Sequence, residues 1–176
     1  MQATKYLRGI LGWLVIFSNL ALAEQVKLLR VVDGDTLKVT YHGRKEALRL
    51  IGIDTPESAV NKKAERDSAR SYADLNQILS LGQRAKEHTE LLVSDENFLN
   101  IEFDVVPRDQ YGRLLAYVYL SDGSMLNEKI IQDGFAKPYT FPPNVRYISR
   151  FRKAAQDARK HARGLWGINS NAFRHE

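Results

Sequence analysis

Acidic and basic side chains are concentrated in a short, otherwise hydrophobic stretch, LRLIGIDTPES, at residues 48–58. Arg49 stands inside a run that would suit a buried strand, and Asp54 and Glu57 follow it closely. A second acidic group, Asp33-Gly34-Asp35, lies between two other strand-like runs. Carboxylates gathered in one place repel each other unless a positive charge lies between them. The pattern therefore predicts a cation site that includes Asp35 and Asp54.

The sequence favours a hard cation bound by oxygen atoms. It contains no cysteine and four histidines, none of them paired at the spacing of metal ligands. Oxygen-rich sites of this kind suit calcium first and magnesium second. An EF-hand is excluded, because the segment DGDTL lacks the third acidic position and the glycine that follows it.

Two arginines suggest that the bound group is a phosphate. Arg49 lies five residues before Asp54, so its side chain can point toward the same rim of a sheet. Arg113 opens a later strand-like run and is a candidate counterpart. The planar guanidinium matches a pair of phosphate oxygens. Each residue alone is equally explained by an ordinary ion pair, but carboxylates, a metal and two guanidiniums together predict phosphoryl chemistry.

Strand-like patterns position these residues. Three runs, VKLLRVV, TLKVTYH and EALRLIGI, are separated by the turn signals Asp33-Gly34 and His42-Gly43, which predicts a three-stranded meander. Asp-Gly is a strong hairpin signal by itself, so a simple turn is the alternative explanation of the first dipeptide. Two more strands are predicted at FLNIEFDVV and RLLAYVYL.

Helical spacing appears in three further segments. The longest runs from about Leu75 to Val93, with Gly82 as a weak point inside it. A short helix is predicted around Asn127 to Gln132, and a last one follows Pro142-Pro143 with Asn144 as its cap. The polar segment after Pro56 is expected to be an exposed, partly helical loop. The sum predicts an α+β domain: a five-stranded Greek-key β-barrel of the OB-fold type with about three α-helices.

The first 23 residues have the features of a cleavable secretory signal peptide. Lys5 and Arg8 precede an apolar run from Ile10 to Leu22, which ends in Ala21-Leu22-Ala23. A membrane anchor is the alternative, but the run is shorter than the roughly 20 residues of a span. We expect a secreted or periplasmic protein with no stable membrane association after cleavage before Glu24.

The remaining residues, 24–176, are enough for one domain with its own core. Lys and Arg number 26 against 21 Asp and Glu; without Lys5 and Arg8 the excess is 24 minus 21, or +3. A mildly basic surface suits a polyanion, although many surfaces have this balance without such a partner. Nothing in the sequence demands more than a monomer.

The chain resembles the staphylococcal nuclease, or thermonuclease, family. The resemblance rests on VVDGDTLKV, LRLIGIDTPE, DQYGRLLAYVYL, LNEKIIQDGFAKPY and FRKAAQDARKHARGLWG, in that order. It implies that Asp35 and Asp54 bind calcium together with the Thr55 carbonyl. It further implies that Asp33 orients these ligands without binding the ion itself. It also implies that Glu57 activates the attacking water as a general base.

The same resemblance implies roles at the substrate. Arg49 and Arg113 would hold the scissile phosphate, and Tyr111 and Tyr139 would lie beside the nucleotide. Members of this kind cleave DNA and RNA with little sequence preference and leave 3'-phosphate ends. Arginines that bind backbone phosphates and tyrosine rings that stack on bases agree with such activity, because neither contact depends on the base sequence.

The chain departs from the family pattern at three places: Gln110 replaces a basic residue, Phe141 replaces a second tyrosine, and the segment from Ser58 to Leu81 is longer. None of them removes a predicted ligand or catalytic group. A non-catalytic OB-fold module that binds nucleic acid or serves as a scaffold is the main alternative. The complete set of acids and arginines argues against it. A phosphodiesterase for small nucleotides is a further alternative that no residue favours.

Overall fold

The computed structural model describes residues 24–71, 74–168 and 173. The predicted signal peptide, residues 1–23, lies outside this part of the chain. Among the residues described, no helix has the length and apolar character to cross a membrane.

The β-strands are β1 (Glu24–Asp33), β2 (Thr36–Tyr41), β3 (Arg44–Leu50), β4 (Ile53–Asp54), β5 (Phe98–Glu102), β6 (Leu114–Tyr119) and β7 (Lys137–Pro138). Five of them close into a barrel in the order β1-β2-β3-β6-β5. All neighbours in the barrel are antiparallel except β3 and β6, which run parallel. The predicted α+β class and the five-stranded barrel are therefore confirmed.

The barrel core follows from the alternation of side chains along its strands. Leu37 and Val39 of β2, and Leu48 and Leu50 of β3, are almost completely buried. Because successive side chains of a strand point to opposite faces, Arg49 is turned away from the two leucines that flank it. The strand thus buries its apolar residues and still presents one guanidinium.

The third predicted strand is split in two. β3 ends at Leu50, and the chain turns through Gly52, which has a φ of 80°. A Cβ at Gly52 would also lie 2.5 Å from the ring of Phe151, so both the backbone conformation and the packing require glycine. The chain then forms β4, which pairs with β7 outside the barrel. This turn carries Asp54 away from the barrel wall.

Among the described residues the structure has four α-helices instead of about three. They are α1 (Lys62–Ser71), α2 (Leu75–Leu92), α3 (Leu126–Gln132) and α4 (Ile148–Lys160). The extra helix, α1, lies in the polar segment, where the few large apolar residues gave little periodic signal. α2 and α3 begin and end within a residue of their predicted limits.

Asn144 does not cap the last helix, as the sequence suggested. α4 begins at Ile148, and Asn144 is buried in the preceding loop. Its side chain binds both the amide and the carbonyl of Val106, each at 2.8 Å. The amide side chain therefore joins two loops, because it supplies both a donor and an acceptor to the Val106 backbone.

Candidate active site

The turn between β1 and β2 lies directly against Thr55. A Cβ on Gly34 would lie 2.8 Å from the Thr55 hydroxyl oxygen, so glycine permits the close approach. Asp35 Oδ2 accepts hydrogen bonds from the Thr55 backbone amide at 3.0 Å and from the Thr55 hydroxyl at 3.1 Å. Both residues are buried. Two segments that lie twenty residues apart in sequence are thereby joined at one rim of the barrel.

Arg49 bridges the two aspartates that the sequence singles out. One guanidinium nitrogen, Nη1, lies 2.8 Å from Asp35 Oδ2, and the other, Nη2, lies 3.0 Å from Asp54 Oδ1. The Arg49 side chain is only 15% exposed. The planar fork is well suited to hold two carboxylates at fixed positions.

Lys63, at the start of α1, is the site residue that sequence reasoning missed. Its ammonium nitrogen, Nζ, lies 3.0 Å from the Thr55 carbonyl oxygen and 3.0 Å from Glu57 Oε1. Asp54 Oδ2 is 3.4 Å away and Asp67 Oδ2 is 3.5 Å away. Its pKa is raised above the ordinary value: burial opposes the charge, but Asp54 and Glu57 outweigh it. Lys62 and Lys63 read as ordinary charges of an exposed segment, so no pattern distinguished one from the other.

Asn61 fixes both α1 and Glu57. Its side-chain oxygen accepts hydrogen bonds from the backbone amides of Lys63 and Ala64, each at 2.9 Å, which is the arrangement of a helix N-cap. Its amide nitrogen donates to Glu57 Oε2 at 2.6 Å. The two carboxylate oxygens of Glu57 thus face different partners, Asn61 on one side and Lys63 on the other.

Gly82 brings α2 against the same loop. A Cβ at this position would lie 2.0 Å from the carbonyl oxygen of Glu57 and 2.5 Å from the amide nitrogen of Ser58. The glycine that looked like a weak point of the helix is therefore a packing requirement. The backbone of the Glu57 segment packs directly against α2 at Gly82, where the helix has no side chain.

The protonation of the acids reflects their crowding. Burial, together with Asp35 and Glu57, raises the pKa of Asp33 to about 7. Burial also raises the pKa of Asp54, against the effect of Lys63 and Arg49. Burial opposes the ionisation of Glu57 as well, but Lys63 and Asn61 outweigh it and keep the pKa of this carboxyl below its ordinary value. Glu57 is consequently ionised at neutral pH.

Arg113 lies in a neighbouring loop and is held by Asp109. Its Nε is 2.6 Å from Asp109 Oδ2, and the same carboxylate accepts from the backbone amides of Tyr111 and Arg113. Arg113 lies two residues before Leu115, which pairs with Arg49 in the parallel β3–β6 register. The structure thus brings the two arginines to one region, but the ion pair it shows for Arg113 is with Asp109.

The two predicted aromatic residues lie on different segments, Tyr111 beside Arg113 and Tyr139 beside the cavity next to Asp54. Tyr111 is 76% exposed and its ring faces the Arg113 guanidinium at 5.7 Å. Tyr139 is half exposed, and its amide donates to the Gly52 carbonyl at 2.9 Å. A cavity of about 410 Å³ opens beside Asp54 and Thr55, between α1 and β7, and Tyr139 lines it.

The charges of the cluster leave room for a divalent cation. The carboxylates of Asp35, Asp54 and Glu57 face the positive charges of Arg49 and Lys63, so three minus two leaves an excess of −1. Asp33, whose pKa is raised to about 7, adds only part of a further negative charge at neutral pH. Within the described ranges no three Asp, Glu or His side chains converge closely enough to hold a metal by themselves. The carboxylates of Asp54, Glu57 and Asp67 and the Thr55 carbonyl do surround one cationic atom, Lys63 Nζ.

Fold and site together define the class of protein: an OB-type barrel with a cluster of acids and an arginine at one rim. Comparison with known proteins then identifies the family. The family described as "Staphylococcal nuclease homologue" matches residues 47–168, and the chain belongs to it. The matched range contains Arg49, Asp54, Glu57 and Arg113 but begins after Asp35.

Named relatives agree with this assignment. The chain is 38% identical over 146 residues to the SPbeta prophage-derived endonuclease YokF of Bacillus subtilis, and 37% identical over 143 residues to Endonuclease YncB of the same organism. The alignments cover 82% and 80% of this chain, but 44% and 61% of those relatives. A Thermonuclease of Staphylococcus hyicus is 32% identical over 143 residues, covering 81% of this chain and 76% of its own length.

Proposed function

We propose that the chain is a nuclease that hydrolyses phosphodiester bonds of DNA and RNA with little sequence preference, depends on calcium and leaves 3'-phosphate ends. One observation carries the proposal: Arg49 lies between Asp35 and Asp54, and the ionised Glu57 carboxylate is held beside them. Membership of the family, and relatives named endonuclease and thermonuclease, support it.

The donors present fit a calcium ion. Asp35, Asp54 and the Thr55 carbonyl supply hard oxygen atoms, and the cluster has an excess of negative charge for a divalent cation to balance. The position of Lys63 Nζ shows that Asp54 and the Thr55 carbonyl already converge on a positive charge. When bound there, calcium would neutralise and polarise phosphate oxygens.

Arg49 and Arg113 would supply the remaining positive charge at the phosphate. Phosphodiester hydrolysis places additional negative charge on the phosphate oxygens in the transition state, and fixed guanidiniums stabilise it. Arg49 is already oriented by two carboxylates, so little conformational freedom is lost when it binds. Arg113 would use nitrogen atoms that its Asp109 contact through Nε leaves available.

Glu57 would accept the proton of the attacking water. A general base must be ionised at the working pH, and the lowered pKa of Glu57 satisfies this condition. The hydrogen bond from Asn61 to Oε2 fixes the carboxylate plane. The other oxygen, Oε1, contacts the Lys63 ammonium in this structure. Oε1 would accept the proton after Lys63 has moved away and a water molecule has taken its place.

The substrate strand would pass between Tyr111 and Tyr139. Tyr111 on one side and Tyr139 on the other offer exposed rings on which bases can stack without reading their edges. This arrangement supports cleavage with little sequence preference. The 410 Å³ cavity next to Tyr139 is of the size that takes one small ligand group such as a nucleotide.

We further propose that the mature protein is exported and acts as a monomer in the periplasm or outside the cell. The charged start, apolar run and small-residue site of residues 1–23 support export. Mass spectrometry of the protein recovered from each cell fraction would test this, and a mature chain that begins at Glu24 is the expected result.

Digestion of a circular single-stranded DNA tests the activity. We expect wild-type protein to open the circle with calcium and to leave it intact with a calcium chelator. The fragments should accept a phosphate at their 5' ends without prior treatment and should carry 3' phosphates. A circle that binds the protein but survives with calcium would instead favour the non-catalytic module.

A further inference from the structure

Lys63 places a positive charge beside two of the three proposed metal ligands, Asp54 and the Thr55 carbonyl, whereas the third, Asp35, faces Arg49. Its ammonium lies 3.0 Å from the Thr55 carbonyl oxygen, 3.0 Å from Glu57 Oε1 and 3.4 Å from Asp54 Oδ2. Asp67 Oδ2, at 3.5 Å, is a fourth neighbour, so the three N–H donors of the ammonium face four oxygens. Two of the four, Asp54 and the Thr55 carbonyl, are groups that the proposed function assigns to calcium.

The helix holds this lysine in place. Asn61 caps the first turn of α1 through the amides of Lys63 and Ala64, and the Ala64 side chain is completely buried. The start of α1 is therefore anchored on the Glu57 loop. The Lys63 side chain is 28% exposed, so its charge is screened less than that of a free surface lysine.

Asp67 can keep Lys63 paired when the ammonium moves away from Thr55. Its Oδ2 already lies 3.5 Å from the ammonium, one turn further along α1, at the spacing at which helical side chains pair. Lys63 and Asp67 both line the 410 Å³ cavity, which leaves space for the long side chain to swing away from Thr55. The ammonium can move without unfolding the helix.

We propose that Lys63 is a tethered cation that binds Asp54 and the Thr55 carbonyl, two of the proposed metal ligands, in the calcium-free protein and must leave them when calcium binds. The inference rests on the proposed function. Calcium binds oxygen atoms at 2.3–2.6 Å. The Thr55 carbonyl and Asp54 cannot contact calcium at that distance while the ammonium remains between them, because two cations would repel strongly. Lys63 therefore lowers the apparent calcium affinity and stabilises the calcium-free fold.

Calcium titration of Lys63→Met, with Lys62→Met as the matched control, tests this competition. Both changes remove one positive charge from the start of α1, but Lys62 is exposed and lies outside the cluster. Isothermal titration with calcium alone should show at least about five-fold tighter binding to Lys63→Met than to wild type, the lower end of ordinary coupling between sites. Lys62→Met should stay within about two-fold of wild type, as expected of an exposed charge.

Thermal unfolding in chelator gives a second readout that needs no activity. The melting temperature of calcium-free Lys63→Met should fall below that of wild type and of Lys62→Met, because the acids lose their counter-ion. Equal or weaker calcium binding by Lys63→Met would overturn the proposal, and so would an unchanged melting temperature. If wild type and Lys63→Met both fail to bind calcium, the calcium-dependent function itself is wrong. Calcium binding that is equal in the two proteins overturns only the role of Lys63.

The wild-type protein allows the test if Lys63→Met does not fold. The rate at which an amine-specific acylating reagent modifies each lysine can be followed by mass spectrometry with calcium and with chelator. Lys63 should react slowly in chelator and several-fold faster with calcium, while the rate at Lys62 stays the same. A Lys63 rate that does not change while calcium binds would contradict displacement.

Discussion

Replacing Gly82 with alanine adds one methyl group at the contact between α2 and the Glu57 loop. The new Cβ would lie 2.0 Å from the Glu57 carbonyl oxygen and 2.2 Å from its carbonyl carbon. Contacts of a real Cβ are essentially never shorter than 3.0 Å, so helix and loop must separate by about 3.0 minus 2.0, or 1 Å. Both neighbours are backbone, and a rotamer change cannot relieve the clash.

Two effects on stability then compete. Overpacking of this kind costs about 1–3 kcal/mol. Alanine in a helix interior gains about 1 kcal/mol over glycine. We therefore expect the free energy of unfolding of Gly82→Ala to fall by about 0–2 kcal/mol, so that the variant remains folded. The larger effect should be on catalysis, since a 1 Å displacement of a catalytic group can cost about 100-fold in rate.

Chemical denaturation and calcium-dependent cleavage of single-stranded DNA measure the two effects separately. Ser80→Ala is the control, because Ser80 is an exposed residue of the same helix. We expect kcat of Gly82→Ala to fall by about 100-fold while Ser80→Ala keeps the wild-type value. A Gly82→Ala protein that is more stable than wild type and equally active would refute the close approach of α2 to Glu57.

Three further changes test separate contacts. Asn61→Ala removes the hydrogen bond to Glu57 and the cap of α1, and should lower kcat by about ten-fold or more with little change in KM for DNA. Arg49→Lys keeps the charge but loses the fork that spans two acids, and should lower kcat by about 100-fold or more in the cleavage assay. A hydrogen bond of 3.0 Å with His88 lowers the pKa of Asp133 below its ordinary value of 3.8. The ionised carboxylate therefore stabilises the fold above pH 3.8, and this stabilisation is lost as the pH falls further and Asp133 is protonated. Denaturant unfolding should accordingly show a difference between wild type and Asp133→Asn that shrinks below about pH 3.8.

Local patterns were sufficient to predict the barrel. The Asp33-Gly34 and His42-Gly43 turns separate runs of β-branched and apolar residues, and both turns join the strands that the sequence indicates. The interruption at Gly52 was not visible, because an isolated glycine in a hydrophobic run does not show whether its φ is positive. The role of Asn144 was hidden for a similar reason: its partner, Val106, is distant in sequence.

The site was predictable only to the extent that residue type indicates chemistry. Arg49, Asp54 and Glu57 stand out because charges are unusual beside a hydrophobic strand. Lys63 does not, because it is one of many charges in a polar segment and acquires its role only when α1 folds back over Thr55. Which residue lies opposite which acid depends on tertiary contacts that spacing alone does not specify.

The most direct test of the catalytic site is the cleavage rate of Glu57→Gln beside Glu65→Gln, an exposed acid of α1. The substitution keeps the size of the side chain and removes its ability to accept a proton. Circular single-stranded DNA is incubated with saturating protein and calcium, and binding and cutting are measured on the same samples. We expect Glu57→Gln to bind the circle with wild-type affinity and to cut it at least about 100-fold more slowly, while Glu65→Gln cuts normally. Wild-type cutting by Glu57→Gln would contradict the catalytic role of this carboxylate.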